Sequence, residues 1–563
     1  MKKKIIDILC AMLVLTMLVS CVGQASAPSP AAAPDTAAPT AETATAAPAK
    51  EKVLRRDIIS EPRTIDPSLN SELSAGTVMD NCFEGLLGYE QNGTKLVPVG
   101  AESYTVSPDG LVYTFKLRKD EKWSNGEDVT ADAYQFAFLR VLDPAMAADY
   151  ATEFYCIKNG ENYNAGECEA SDVGIKVVDD YTLEVTLEYP AVYFLSLLPM
   201  FFAYPLYQPI VESDPDWAIK PETYIGNGPF KLAQWLPKDK FIIVKNENYR
   251  DAANVKLDRV EMHILSDPNS ALATYESGDV DVLIGNLPPA MVPQLLADGK
   301  AKSAPYFCTT WMQINVSDNA MEYDPVQSEV LLDQRVRKAL NLAIDRNVIV
   351  NNVTQAGEMP ATSFVPSGII GPDGKDYRNK EYYKAEGDVA EAKRLLAEAG
   401  YPDGQGFPEL TYTNANTSVN PDVAQAVQAM WKTNLNITLN IENIEYGVLL
   451  NRRSSSNRQY TLCYRRWIGD YLDPQTFLNL FTYATGKNYN SPEYDEAMLG
   501  AASSPDPVKR FEYMHQAEDI LMNDMPFVLL YYLANPYMAK DYVKNLYITP
   551  TGFVYMKYVD IEQ

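Results

Sequence analysis

The chain has 563 residues, 46% of them hydrophobic and 22% charged, a globular balance rather than a disordered one. Its net charge of −27 comes with no basic stripe, which excludes nucleic acid as a partner, because phosphate binding needs clustered Lys and Arg. Solubility is the first use of such an acidic surface and attraction of cationic ligands the second.

Lys2, Lys3 and Lys4 precede an apolar run from Ile5 to Val19, broken only by Asp7 and Thr16. The run is too short to span a ~30 Å hydrocarbon core, so residues 1–20 read as a secretory leader. Leu18-Val19-Ser20-Cys21 resembles a lipobox, which makes Cys21 the expected acylated N-terminus. Residues 21–50 are dominated by Ala, Pro, Thr and Ser and read as a flexible tether. A doubly acylated cysteine would hold the body outside the cytoplasm, on the outer face of the cell membrane. About 510 residues follow, enough for two or three domains.

Alternation predicts a strand at Leu111, Tyr113, Phe115 and Leu117, and another at Tyr181, Leu183, Val185 and Leu187. Val336, Leu340, Ala343 and Ile344 form a helical stripe between Leu331 and Arg346. Asp388 with Glu391 predicts a capped helix from Val389 to Ala399, stopped by Gly400 and Pro402. Asp422 opens a helix towards Asn434, and a strand follows through Ile437, Leu439 and Ile441. The class is α/β or α+β with more than one lobe.

Outside leader and anchor, the cysteines are Cys82, Cys156, Cys168, Cys308 and Cys463. No CxxC occurs, and Cys156 with Cys168 is the leading candidate for a bridge, with five free thiols as the alternative. The two histidines, His263 and His515, lie in strand and helix patterns and read as structural. With no HExxH, GxSxG or GxxxxGK[ST], no catalytic, metal or cofactor site is expected.

Seven blocks stand in order along the body: Thr64-Ile65-Asp66-Pro67 with Phe83-Glu84-Gly85-Leu86, Trp123 to Asp132, Gly226-Asn227-Gly228-Pro229-Phe230, Tyr275 to Asp281, Arg335 to Arg346, Trp467 to Pro474 and Tyr542 to Leu546. Together they resemble the oligopeptide-binding proteins of bacterial ABC importers. The resemblance implies a two-lobed periplasmic-binding-protein-like fold of type II with a third, smaller inserted domain. One lobe would comprise 51–83, 228–306 and 538–563, the inserted domain 84–227 and the other lobe 307–537. It implies a monomeric receptor that hands oligopeptides to a transmembrane permease driven by cytoplasmic ATPases.

In that family an extended peptide pairs its backbone between the lobes, here with Ser71, Glu72 and Leu73 and with Arg466, Trp467 and Ile468. Asp470 resembles the aspartate that meets the peptide ammonium, whereas Asp473 suits a loop-capping role. Trp467, Tyr150, Tyr446 and Gln313 occupy pocket-lining positions. Tyr464 stands where an arginine is common and Asn420 where a histidine can occur, so Arg452 or Arg453 becomes the candidate for the peptide carboxylate. Ile468 replaces a cysteine that can pair with the equivalent of Cys308, so that bridge is expected to be absent. The same fold also serves nickel chelates, haem, oligosaccharides and peptide pheromones, and a surface chaperone or adhesin is the reading from another class.

Overall fold

The computed structural model describes residues 50–562 apart from 92–94, 418 and 455. Cys21 and the segments 1–20 and 21–49 lie outside the described residues. Chain order sets the architecture as follows. β1 (Val53–Ile58) leads to α1 (Leu73–Cys82), then to β2 (Ala101–Val106), β3 (Val112–Leu117), α2 (Ala131–Leu142), β4 (Ile175–Asp179) and β5 (Thr182–Thr186). Next come β6 (Phe230–Leu236), β7 (Lys240–Lys245), β8 (Arg259–Ile264), β9 (Val282–Ile284) and β10 (Lys302–Ile314). The second half adds α3 (Gln334–Leu342), α4 (Val389–Glu398), β11 (Leu410–Ala415), α5 (Asn420–Leu435), β12 (Leu439–Ile444) and α6 (Tyr446–Arg452). It closes with β13 (Leu462–Ile468), α7 (Pro507–Asp524) and β14 (Phe527–Ala539).

One sheet runs through both lobes in the order β12-β11-β13-β10-β14-β9-β1-β8-β7-β6, with Met359–Pro360 added beside β14. β10 and β14 are each 13 residues long and carry the chain between its halves. Their ladder changes register between Pro305 and Thr309 and again at Thr310/Trp311. Such irregularities bend and twist a strand pair locally. β11, β12 and β13 are parallel neighbours in one lobe, and β1 pairs in parallel with β8 in the other.

The predicted strands are β3 and β5, adjacent in a four-stranded sheet of order β2-β3-β5-β4. Tyr113, Phe115 and Leu117 are buried on one face of β3 and pack against α2 and Phe194. That small sheet shares a continuous apolar core with β1, β6, β7 and β8. In the other lobe, one cluster gathers around Leu340, Val427 and Trp431. Another forms around Trp311, Phe364, Phe477 and Tyr494.

α4 follows its predicted cap: Asp388 accepts from the Glu391 amide at 3.0 Å, and Gly400 has φ +102°. The stripe from Leu331 to Arg346 is shorter than expected. Asp333 caps α3 at its start and Asp345 caps a separate turn, Arg346–Val348, so the backbone breaks between them. α5 starts at Asn420 rather than after Asp422, because Pro421 fits the first turn and Asp422 stays inside it. β12 begins only at Leu439, since Asn436 takes a left-handed conformation (φ 56°) to end α5.

Cys156 and Cys168 are free thiols, and so are Cys82, Cys308 and Cys463, which removes the candidate bridge. Cys308 faces Ile468 in the ladder, and Ile468 offers it no sulfur. His515 stacks on Tyr377 (centroids 4.3 Å apart) with Nε2 2.8 Å from the Tyr377 carbonyl, while His263 lies on β8 beside Glu261. Both are structural. Among the described residues no helix is long and apolar enough to cross a membrane, and no group of His, Cys, Asp or Glu is placed to hold a metal ion.

Candidate functional site

The site is built around the end of β13. After Ile468 the chain turns at Gly469, whose amide donates to the Phe307 carbonyl at 2.8 Å. A Cβ on Gly469 would stand 2.2 Å from the Phe307 ring, so the packing leaves no room for a side chain where the chain passes on to Asp470. Thr476 then fixes Asp470. Its hydroxyl accepts from the Asp470 amide and from Trp467 Nε1, each at 3.2 Å, and lies 3.4 Å from Asp470 Oδ2. Trp467 therefore acts here as a support for the carboxylate.

Three residues later the same loop treats a second aspartate differently. Asp473 accepts both Nη groups of buried Arg510 at 2.7 and 2.9 Å and caps the Gln475 amide at 2.9 Å. Its charge is fully compensated. Among the described residues Asp470 has no such partner.

A cavity of about 250 Å³ opens over Asp470, lined on one side by Ile468 and Gly469 and on the other by Ser71, Glu72, Leu73 and Tyr150. Tyr150 is held by Phe202, stacked at 5.1 Å, and by Phe201, edge-on at 5.3 Å. From there its hydroxyl donates to Asp470. Arg63 organises the opposite wall, donating to Ser71 Oγ at 3.0 Å and pairing with Glu72. Tyr306 comes from β10, and Thr551 and Phe553 from the C-terminal segment.

Burial pushes the Asp470 carboxyl up to about 6, although the hydrogen bonds from Thr476 and Tyr150 hold it down. Glu153, one turn after Tyr150, is pushed up to about 7 by burial and then by the Asp470 charge. Neither carboxylate has a cationic partner among the described residues. Half-buried acids in this state raise the affinity for any cation that can enter.

The strand edge beside them is open. β11 pairs with β13 only at Tyr412/Leu462 and Thr413/Cys463, so among the described residues Tyr464–Ile468 has no strand on that side. The Gly469 amide points towards β10. Since the pointing direction alternates along a strand, the amides and carbonyls of Arg466 and Ile468 face away from β10, into the open edge. A ligand with a free cation and a peptide backbone has a complement here for both.

Of the residues anticipated from sequence, Ser71, Glu72, Leu73, Tyr150, Ile468 and Asp470 meet at this one cavity. Further along β13, Arg453 donates to the Tyr464 carbonyl at 2.8 Å and lies over the Tyr446 ring at 5.8 Å. Asn420 is buried close to the Tyr464 hydroxyl. Arg452 is committed to Glu442 at 2.8 Å and does not stand free for a carboxylate. Gln313 does not reach the cleft: it is fully buried, accepts from Trp311 Nε1 and donates to the Ile314 and Pro526 carbonyls. It belongs to the core under β10, where a long polar side chain must satisfy itself internally.

Tyr306, Thr476, Thr551, Phe553 and Glu153 were not anticipated. Only Glu153 carried a local signal, as an acid three residues after Tyr150 and so on the same side of a helical turn.

Comparison with known proteins gives a consistent picture. Residues 95–489 match the family described as bacterial extracellular solute-binding proteins, family 5 (middle region). The dipeptide-binding protein DppE of Bacillus subtilis is 32% identical over 519 residues, covering 91% of this chain and 92% of that one. The oligopeptide-binding protein OppA of the same organism is 31% identical over 516 residues, covering 90% and 92%. Among solved structures, the unliganded open form of the periplasmic murein tripeptide-binding protein MppA has a TM-score of 0.77 at 29% identity, covering 91% of this chain and 98% of that one.

Proposed function

From the premise that this chain belongs to the family-5 bacterial extracellular solute-binding proteins, we propose that it is the peptide receptor of an ABC importer. It takes peptides between its two lobes and passes them to a transmembrane permease. The observation that carries this reading is the pairing of Asp470, a carboxylate with no cation beside it among the described residues, with the open edge at Arg466–Ile468. A peptide ammonium satisfies the first and a peptide backbone satisfies the second, whatever the side chains are. Because such a ligand touches both walls, it stabilises a closed arrangement more than an open one, and the hinge at the register breaks of β10 and β14 is where closure would occur.

Secretion through residues 1–20, acylation at Cys21 and the tether 21–50 would keep the receptor at the outer face of the membrane, working as a monomer. The segments 51–83, 228–306 and 538–563 would act as one lobe, 307–537 as the other and 84–227 as the inserted domain. No cofactor enters the proposal.

Titration calorimetry with trialanine and with N-acetyl-trialanine tests it. Trialanine should bind and compact the protein in small-angle scattering, whereas the acetylated form should lose at least tenfold in affinity. Equal binding of both, or binding without compaction, would sink the reading.

A further inference from the structure

A second cavity, of about 200 Å³, lies against the first turn of α1 and shares Leu73 and Tyr306 with the cavity over Asp470. Arg56 of β1 lines it, together with Ser74 of α1 and Asn535 of β14. Arg56 is only 5% exposed. Its Nε donates to the Asp57 carbonyl at 2.9 Å, and its two Nη groups have no hydrogen-bond partner among the described residues. A guanidinium in that state lacks the satisfaction that buried polar groups ordinarily find.

The adjacent acid does not supply it. Asp57 is turned towards β9, where Oδ1 accepts from the Ile284 amide at 3.0 Å, and burial raises its carboxyl. The Asn535 side chain, 9% exposed, likewise has no hydrogen-bond partner among the described residues. The start of α1 adds to the excess of donors. Glu72 makes no capping bond and pairs with Arg63 instead, and the first helical bond runs from the Gly76 amide to the Glu72 carbonyl at 3.1 Å. Leu73 and Ser74 therefore line the cavity with amides that precede the helical ladder, at the positive end of the helix dipole.

The cavity suits a carboxylate in size as well as in charge. A water's share of the liquid is ~30 Å³, so about 200 Å³ leaves room for the side chain of an acidic residue. Its neighbour is the peptide cleft, through the shared wall of Leu73 and Tyr306. Gly552 lies beside both, and a Cβ there would stand 3.2 Å from the Tyr306 ring, narrowing the junction. Side chains leave an extended backbone on alternate sides. A peptide on the β13 edge with its ammonium at Asp470 thus sends one of its first two side chains towards the α1 wall.

We infer that this cavity is a pocket for an acidic side chain on one of the first two residues of the bound peptide, and that Arg56 selects it. The inference rests on the peptide-receptor reading and narrows its substrate class to peptides with Glu or Asp near the amino end. A guanidinium takes a carboxylate through two parallel, charge-assisted hydrogen bonds that a side-chain amide cannot reproduce. The buried charge of Arg56 is uncompensated only until that carboxylate enters, so the ligand supplies what the fold withholds. The net charge of −27 disfavours an added negative charge elsewhere on the ligand, so a preference for Glu over Gln reports a local cation. A free carboxylate such as acetate shares this chemistry, and the test separates the two sources.

Calorimetry on the full chain with Glu-Ala-Ala, Ala-Glu-Ala, their Gln counterparts and trialanine tests this, using wild type, Arg56→Met and Arg56→Lys, each checked by thermal melt. In wild type one Glu peptide should bind at least tenfold more tightly than its Gln counterpart. That advantage should vanish in Arg56→Met and return in part in Arg56→Lys. The wild-type comparison needs no variant, so it decides the matter even where a substitution at this buried position does not fold. Equal binding of Glu and Gln peptides while trialanine binds, or a Glu preference that persists in Arg56→Met, would overturn the inference and leave the peptide receptor standing. Acetate that raises the wild-type melting temperature more than chloride does, with no Glu preference among the peptides, would assign the cavity to a free anion and overturn it as well. Failure of every peptide to bind would overturn both readings.

Discussion

Replacing Asp470 by asparagine keeps the shape of the side chain and its bonds to Thr476 but removes the charge. Truncating one partner of a desolvated ion pair costs about 2–5 kcal/mol, so affinity for trialanine should fall roughly 30-fold to several-thousand-fold. The pH dependence is fixed by the same group. With its carboxyl raised to about 6, Asp470 is mostly ionised at pH 7 and about one-tenth ionised at pH 5. Binding an ammonium requires the ionised form, so wild-type affinity should drop about tenfold from pH 7 to pH 5. The variant should lack that drop. Above pH 8 affinity should decline again, as the peptide ammonium (pKa ~7.7–8.0) loses its proton.

The same substitution has an opposite effect on the ligand-free protein. A folded-state pKa above the unfolded value means that the folded form keeps its proton longer, so stability falls as pH rises from about 4 to about 6. At pH 7 the ionised Asp470 costs the fold up to about 3 kcal/mol, and asparagine should return much of it. Calorimetric titration at pH 5, 7 and 9, with thermal denaturation of the unliganded variant at pH 7, reads both effects. Wild-type-like affinity in the variant, or a flat wild-type profile between pH 5 and 7, would refute the assignment of Asp470.

Two further predictions concern the frame. Asp473→Ala leaves buried Arg510 without its carboxylate and should lower stability by about 3–5 kcal/mol in urea denaturation. Pairing it with Arg510→Met should recover most of that loss. Glu84 is buried, which would push its carboxyl up, yet Lys557 and Arg250 outweigh burial and hold it at about 2. Its stabilisation is therefore complete above pH 4.5 and lost as pH falls towards 2. Lys557→Ala should remove up to about 3 kcal/mol at pH 7, shrink the acid-sensitive step and loosen the C-terminal segment, as read by proteolysis.

What the sequence made legible was local. The alternation of Tyr113, Phe115 and Leu117 gave a true strand because one face is buried, and Asp388 capped its helix because the capping bond spans only three residues. The capping role of Asp473 was readable from its loop, before Pro474. Several family blocks, by contrast, are packing devices. Arg337 and Asn341 tie α3 to the carbonyls of Leu331, Asp524 and Phe527. A Cβ on Gly226 would stand 2.0 Å from the Cys82 carbonyl oxygen. What could not be read depends on distant register. Gln313 faces the core because β10 is flanked by both β13 and β14 there. The open edge exists because the β11 ladder stops at Cys463, and Thr551 and Phe553 reach the cavity from the far end of the chain. None of these leaves a periodicity or spacing in sequence.

An unpaired strand edge is ordinarily a hazard, since it will join any exposed strand, including that of an unfolded neighbour. The edge of β13 is guarded by its own geometry. It offers two outward-facing residues between Gly469, where the Phe307 ring leaves no room for a side chain, and a guanidinium at Tyr464. The interior of a denatured polypeptide brings no free ammonium for Asp470, so it gains nothing from that charge. The features that suit a short peptide with a free ammonium thus also discourage unfolded chains from adding to this edge.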